Sequence, residues 1–218
     1  MKALISIYSD HHFNPIITDK TIKTCFSSCP RILLLKMRIV GLDLSGSDKN
    51  DTGLCVLQVD GKLKKAETSL LKHDDDILLQ LELLKPDLVA IDAPLTKAKN
   101  GYMRLCEEEL QQYGMLPQNL RGMTYLVERG TLLRTSIRAD MIEVYTRASA
   151  KILGLDSKNN FEVQKAILDM GIKGDLSERL LKKDEIDAIV AAITGYLHVS
   201  KKTEEIGDDE GIVIIPKI

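Results

Sequence analysis

Residues 38–44 read RIVGLDL, an apolar run with a single acid, Asp43, near its end. Such a run predicts a β-strand buried in a sheet. Because alternate residues of a strand point to the same face, the side chain of Asp43 is expected to lie beside Ile39 and Gly41. A carboxylate in an apolar element costs folding free energy unless it is paired, hydrogen-bonded or bound to a metal ion. Asp43 is therefore the first candidate for a functional site.

Two further segments place acids in apolar surroundings. Residues 87–92 read DLVAID and end on Asp92, and the helix-like stretch 183–193 reads KDEIDAIVAAI. Asp184 and Asp187 lie three residues apart, so they share one face of that helix. Alone, Asp92 fits a turn former and Asp184 fits a helix N-cap. Together with Asp43 these acids indicate a shared cation, and hard oxygen ligands suit Mg²⁺ or Mn²⁺.

Hydrophobic periodicity and turn signals divide the chain into strands and helices. The predicted strands are 38–44, 53–59, 62–69, 87–92 and 140–145, with a final apolar run at 212–215. The predicted helices are 75–84, 103–112, 121–137, 146–153, 161–170 and 183–199. Asp60-Gly61 is a two-residue hairpin signal between the second and third strands.

This element order predicts an α/β fold built on one mixed sheet. The first three strands would run antiparallel, the later strands would be parallel, and helices would cover both faces. The order resembles the ribonuclease H-like fold, in which the first strand lies at the sheet centre with the fourth strand beside it. Asp43 and Asp92 are then expected on neighbouring strands, under a last helix that carries Asp184 and Asp187.

The length and composition of the chain are sufficient for one such domain. The chain has 218 residues, of which 44% are hydrophobic and 4% aromatic, so aliphatic side chains must build the core and stacking platforms for bases are few. The net charge of −2 gives no global basic field, so any phosphate-binding surface must be local. We expect an α/β domain over 37–218, preceded by an extension over 1–36. Alternatively, Leu33–Leu35 lengthen the first strand.

No apolar run reaches the roughly 18 residues that a membrane span needs, and we expect a cytoplasmic protein that does not interact with a membrane. The four cysteines have irregular spacing, which favours free thiols. A zinc site is a weaker alternative, and its ligands would be His11, His12, Cys25 and Cys29.

The motifs of this chain, taken in order, resemble domain-of-unknown-function family 429, whose members are predicted nucleases of ribonuclease H-like fold. The resemblance covers about 37–216 and is carried by GLDLSG at 41–46, AIDAPL at 90–95, Arg129-Gly130, EVY at 143–145 and DEIDA at 184–188. The Asp-x-x-Asp helix also resembles that of bacterial Holliday-junction resolvases. The resemblance implies that the metal ligands are Asp43, Asp92, Asp184 and Asp187.

This chain departs from the family pattern at two positions. Thr146 stands where a proline commonly follows the EVY motif, which we expect to affect only local backbone rigidity. Glu107 stands where an aspartate is common, and its longer arm argues against a role in tight coordination.

We therefore predict a Mg²⁺- or Mn²⁺-dependent nuclease that cleaves DNA or RNA by a carboxylate-bound two-metal mechanism. Glu143 is a further candidate catalytic residue; alternatively it binds a backbone amide or Arg129. Arginine and lysine side chains match phosphate oxygens, and the predicted phosphate-binding residues are Arg129, Lys97 and Arg104. Internal ion pairs are an equally good explanation for each arginine.

Two other functions remain open at this point. Residues 43–47, DLSGS, followed by a hairpin resemble the phosphate loop of sugar kinases and actin-like ATPases, so an ATP-dependent phosphotransferase is one alternative. The other is a non-catalytic nucleic-acid-binding domain. A homodimer is open as well, since junction-cutting relatives act as dimers, although no feature of the sequence requires one.

Overall fold

The computed structural model describes residues 36–217. Within them, eight strands form a single sheet. The strands are β1 (Lys36–Asp43), β2 (Thr52–Asp60), β3 (Leu63–Leu71), β4 (Leu88–Asp92), β5 (Met141–Val144), β6 (Ile172–Gly174), β7 (Thr203–Asp208) and β8 (Gly211–Pro216). Their order across the sheet is β6-β3-β2-β1-β4-β5-β8-β7.

The helices of the same region follow the predicted positions closely. They are α1 (Asp74–Leu84), α2 (Leu105–Glu109), α3 (Arg121–Ser136), α4 (Thr146–Ile152), α5 (Asn160–Asp169) and α6 (Lys183–Val199). The predicted helix 103–112 is shorter than expected. It begins at Leu105, after a cap in which the Glu107 carboxylate accepts the Arg104 backbone N–H, and it passes into a 3₁₀ turn at Leu110–Tyr113.

The sheet is mixed, and the predicted fold class is confirmed. β1 pairs antiparallel with β2 and β2 with β3, while β4 is parallel to β1 and β5 is parallel to β4. β1 thus lies between β2 and β4, as the ribonuclease H-like order requires. β6 and β7 carry no strand signal in the sequence, because β6 has three residues and β7 lacks an apolar alternation.

Helices cover both faces of the sheet. On one face, Val40 and Leu42 of β1 pack with Ile77 of α1 and Leu133 of α3. On the other face, core residues of β1, β2, α5 and α6 form a second cluster, which includes Ile39, Leu57, Ile167, Ile189 and Ile193. The alternation along β1 therefore assigns Ile39, Gly41 and Asp43 to the α6 face, as predicted.

Helix α6 lies unusually close to the strands because glycines face it. A β-carbon built on Gly41 would stand 2.0 Å from the carbonyl oxygen of Ala188, which no side chain can tolerate. On the helix side, a β-carbon on Gly195 would stand 2.9 Å from Cγ2 of Ile39 and 3.2 Å from Cβ of Ala90. These contacts hold α6 along β1 and β4, so that the first turns of the helix lie over the carboxyl ends of the strands, where the predicted acids lie.

The two edges of the sheet have different protection. β6 pairs with only three residues of β3, and just beyond it the carboxylate of Asp175 accepts the Thr68 backbone N–H at 2.8 Å. β7, at the opposite edge, exposes Glu204 and Glu205. Such short or charged edge strands are poor templates for pairing with another chain.

Several predictions concern the N-terminal part of the chain that precedes residue 36. Outside the described residues lie the predicted extension 1–36, except for Lys36, and the alternative in which Leu33–Leu35 lengthen β1. The zinc alternative, with its four ligands, lies there as well. Within these residues, Cys55 and Cys106 are buried and free. No helix of residues 36–217 has the length and apolar character to cross a membrane.

Candidate metal and catalytic site

Asp43 and Asp92 lie side by side at the carboxyl ends of two central parallel strands. They are register partners in the β1–β4 pairing, and Gly53 is the partner of Asp43 on the β2 side. Ala90 contacts the α6 glycine Gly195, so alternation along β4 also directs Asp92 to the α6 face. The two carboxylates therefore share one face of the sheet, beneath the N-terminal half of α6.

The first turns of α6 bring Asp184 and Asp187 to the same place. A β-carbon on Gly53 would stand 2.0 Å from the carbonyl oxygen of Asp184, so this turn lies against β2 next to Asp43. One turn further along, the carboxylate of Asp187 accepts a hydrogen bond from the ammonium group of Lys183. The predicted set of four aspartates is thus brought together at one point of the fold.

The electrostatics of Asp43 show how close these acids are. Burial, together with the nearby carboxylates of Asp92, Asp187 and Asp184, raises the pKa of Asp43 to about 8, and Lys183 limits that rise. Within residues 36–217, no hydrogen bond reaches the Asp43 carboxylate. A half-buried carboxylate without a donor, surrounded by other carboxylates, is destabilising unless a cation neutralises it.

Asp92 differs from Asp43 because Thr146 holds it. The backbone N–H of Thr146 donates to Oδ1 at 3.2 Å, and its hydroxyl donates to Oδ2. Burial raises the pKa of Asp92 to about 6, and the two Thr146 hydrogen bonds restrain that rise. The expectation that Thr146 affects only backbone rigidity is therefore too narrow, since a proline at this position would supply neither hydrogen bond.

The four aspartates offer only carboxylate oxygens, which suit a hard cation. Their side chains are, however, not arranged to bind one ion together. In the described part of the chain, no three acidic, histidine or cysteine side chains are placed to hold one metal ion. The Lys183 ammonium instead sits against Asp187. The unbonded carboxylate of Asp43 and the exclusively oxygen donors nevertheless fit Mg²⁺ or Mn²⁺, provided that Lys183 releases Asp187.

Glu143 lies behind this cluster, in a buried ion-pair network. Its two oxygens accept from Nη2 and Nη1 of Arg104 at 2.5 and 2.9 Å, and Oε2 also accepts the Leu95 backbone N–H at 2.8 Å. Burial raises the pKa of Glu143, while Arg104 lowers it. Of the alternatives for Glu143, the amide contact is thus observed, and the arginine partner is Arg104 rather than Arg129.

Arg104 is enclosed by carboxylates and has no exposed surface (0%). Besides Glu143 it binds Oε1 of Glu107 at 2.7 Å through Nη2, and Gln118 donates to the same oxygen. The side chain cannot meet a substrate phosphate in this position. Its role in the structure is to anchor the segment that follows Asp92 to α2 and β5.

Arg129 is also turned inward, with 7% of its surface exposed. Its guanidinium donates to the Asp74 carboxylate at 2.7 Å, to the Ser45 carbonyl at 2.7 Å and to the Lys72 carbonyl at 3.0 Å. Arg129 therefore ties the turn after β1 to the start of α1. Of the three predicted phosphate-binding residues, only Lys97 is exposed.

The solved structures that this chain resembles include RuvC from Thermus thermophilus. One, described as RuvC in complex with Holliday junction substrate, is 14% identical, covers 76% of this chain and 96% of that chain, and has a TM-score of 0.48. Another, the Thermus thermophilus RuvC structure, is 16% identical with the same coverage and a TM-score of 0.47. Similarity at this level says nothing about the activity of this chain.

No family model matches the chain, and no curated protein matches it. The resemblance to domain-of-unknown-function family 429 therefore stays a prediction.

Proposed function

We propose that this protein is a metal-dependent nuclease that hydrolyses phosphodiester bonds of a nucleic acid. The observation that carries the proposal is the register pairing of Asp43 with Asp92 beneath Asp184 and Asp187. A structural role would demand hydrogen bonds for Asp43, yet its carboxylate accepts none from the described residues. Its pKa, raised by burial and by the neighbouring carboxylates, supports a site that a cation completes.

Asp43, Asp92, Asp184 and Asp187 would hold Mg²⁺ or Mn²⁺. Four carboxylates balance the charge of two divalent cations, which is the basis for a two-metal mechanism here. Bound ions would supply a nucleophilic water at neutral pH and stabilise charge on the leaving oxygen. The chain's own contribution is orientation, because Thr146 fixes both oxygens of Asp92 and the Gly53 contact fixes the first turn of α6.

Lys183 has a separate part in this proposal. Its side chain is 71% exposed, and its ammonium is the cation that pairs with Asp187 in the described structure. Release from Asp187 would leave this charge at the edge of the acidic cluster, within reach of a phosphate group. The ammonium would then position the nucleic-acid backbone, as lysines do at many phosphate contacts.

The phosphotransferase alternative has less support. A phosphate loop needs free backbone N–H groups around its ligand. In this turn, the Ser45 N–H lies 3.3 Å from the Thr52 hydroxyl, and Arg129 holds the Ser45 carbonyl. Helix α3 covers Gly46, where a β-carbon would stand 3.2 Å from the Gly122 carbonyl oxygen. The non-catalytic alternative leaves the unbonded Asp43 carboxylate unexplained.

The test is cleavage of labelled substrates by the purified protein. Single-stranded DNA, duplex DNA, a four-way DNA junction and RNA are incubated first with Mg²⁺ and then with Mn²⁺. An Asp43→Asn variant removes one ligand charge, and Asp48→Asn makes the same change at an exposed acid of the following turn. The nuclease proposal expects cutting by the wild type and by Asp48→Asn, and at least a hundredfold loss in Asp43→Asn.

Metal binding is measured on the same three proteins by calorimetry. Saturable Mn²⁺ binding that Asp43→Asn abolishes is expected. The proposal would be abandoned if the wild type bound Mn²⁺ and cut no substrate, or if cleavage persisted unchanged in Asp43→Asn.

A further inference from the structure

A pocket of about 200 Å³ opens beside the acidic cluster and plays no part in the chemistry proposed above. Asp43 and Asp92 form part of its lining, and the remaining walls are mainly apolar. Those walls come from the segment before α3, from α3 itself and from the end of β5, and include Met115, Leu116, Met123, Leu126 and Tyr145. An occupant of this pocket therefore lies against Asp43 and Asp92, two of the residues that would hold the metal ions.

The size of the pocket limits what can enter. About 200 Å³ corresponds to the liquid volume of roughly seven water molecules. That space is comparable to one nucleobase and smaller than a base pair. Apolar walls with a few polar groups are typical of sites that take up a single base.

Besides the two aspartates, the pocket has a basic group just beyond β5. Arg147 lines the pocket and is exposed, and its guanidinium passes over Gly114, where a β-carbon would stand 2.8 Å from Nη1. Gly114 also has φ +89°, a backbone conformation that favours glycine. Both the backbone conformation and the nearby guanidinium therefore disfavour another residue at this position. Among residues 36–217 no carboxylate pairs with Arg147, and its guanidinium lies beside the Tyr145 hydroxyl. Its charge is available for the edge of a base or for the phosphate next to it.

We infer that this pocket receives one unpaired nucleobase of the substrate, adjacent to the phosphodiester bond that is cut. The inference rests on the proposed nuclease function, because the shared lining residues Asp43 and Asp92 would position that bond. A base inside an intact duplex cannot reach the pocket without leaving the stack. The preferred substrate is consequently single-stranded or has unpaired nucleotides at the cleavage point, as a loop, a flap or a strand junction has.

The first experiment changes the substrate and leaves the protein as it is. Short single strands of DNA and of RNA carry one abasic site, which is moved along the strand while the backbone charge stays constant. Binding is measured by fluorescence anisotropy with Asp43→Asn protein in Mg²⁺, so that the strand remains intact. We expect one position, next to the mapped cleavage point, at which base removal weakens binding about tenfold.

The second experiment fills the pocket. Met123→Trp places an indole in it, and Leu132→Trp makes a similar change on the exposed side of the same helix, where Leu132 is 67% exposed. Both variants are checked for native circular dichroism. Met123→Trp should weaken binding of the intact strand about tenfold and leave binding of the strand with the critical abasic site unchanged. Leu132→Trp should bind both strands as the parent protein does.

The outcomes separate the two proposals. If the wild type cleaves the strand but base removal weakens binding at no position, the base pocket is overturned and the nuclease proposal stands. Equal or better cleavage of a fully paired duplex would do the same. A protein that neither binds nor cuts any nucleic acid would overturn both. The DNA and RNA series show which sugar the site accepts.

Discussion

The carbonyl oxygen of Asp184 lies against Gly53, at a point where a β-carbon on Gly53 would stand only 2.0 Å away. Gly53 is also the register partner of Asp43. One backbone contact therefore sets the separation between the strand that carries Asp43 and the helix that carries Asp184 and Asp187. The acidic cluster depends on a residue that contributes no side chain to it.

Gly53→Ala should push the first turns of α6 away from β2. Because the atom in contact is backbone, it cannot rotate aside, and we expect a loss of more than ~2 kcal/mol in the free energy of unfolding. Urea unfolding at neutral pH measures this loss. Gly122→Ala is the matched control, since no atom lies within 4 Å of its added β-carbon. A Gly53→Ala protein as stable as this control would show that α6 is not held at Gly53.

Asp43→Asn should stabilise the metal-free protein, and increasingly so as the pH rises. The folded-state pKa of Asp43 is raised from 3.8 to about 8, so the folded form retains a proton that the unfolded chain releases. Stability of the wild type must then fall between about pH 4 and pH 8. Asparagine has no proton to lose. In EDTA at pH 8 we expect the variant to melt at least ~2–4 °C higher, and at pH 5 the difference should shrink.

Added Mg²⁺ or Mn²⁺ should reverse that order. A ligand that binds only the folded state at a hundred times its Kd adds about 2.7 kcal/mol, which raises the Tm of the wild type by roughly 5–10 °C. Because a metal ligand must be deprotonated, the affinity should increase through the pKa of Asp43, near 8. Thermal melts across a metal titration at pH 6 and pH 8 measure both effects. Stabilisation of Asp43→Asn by the same amount would contradict the assignment.

Lys183→Ala should tighten metal binding. The Lys183 ammonium competes with a metal ion for the Asp187 carboxylate, but it is largely exposed, so its effect is limited to ~0.5–1 kcal/mol, or about two- to fivefold in Kd. Lys182→Ala removes a neighbouring lysine that pairs with Asp51 instead. Calorimetry with Mn²⁺ on both variants measures the difference. Equal affinities would mean that Lys183 does not restrict access to the cluster.

Arg104→Ala should destabilise the protein by about 3–5 kcal/mol, because it leaves two buried carboxylates, Glu107 and Glu143, without their counter-charge. Arg138→Ala, at an exposed position after α3, should change stability by less than ~0.5 kcal/mol. Chemical denaturation of both variants measures the costs. A small effect of Arg104→Ala would show that the network is not required to hold the segment after Asp92.

The central strands were predictable from sequence because local periodicity and register agree there. The apolar run 38–44 and the run 87–92 each end on an acid, and their pairing follows from the order of strands and helices. The meeting of Asp43 with Asp184 and Asp187 follows from the same order, with α6 crossing the sheet. In these strands and in α6, the local hydrophobic pattern agrees with the position of each element in the sheet.

Other features depend on contacts between residues that are far apart in the sequence, and hydrophobic periodicity does not predict such contacts. Arg104 and Glu143 are 39 positions apart, and Arg129 and Ser45 are 84 apart. From sequence alone, each arginine fits a phosphate contact or an internal ion pair equally well. The support that Thr146 gives to Asp92 was missed for the same reason. β7 was missed because its exposed glutamates have the composition of a loop.

The two ends of the sheet determine how this protein can associate with itself. A second copy approaching β7 edge to edge would place Glu204 and Glu205 against their own counterparts, and on the other side β6 presents only three residues beside the bonded Thr68 amide. Extension of the sheet from one molecule to the next is thus disfavoured at both ends. Within residues 36–217, a homodimer interface is therefore expected on helices and loops, with the β-sheet of each copy kept separate.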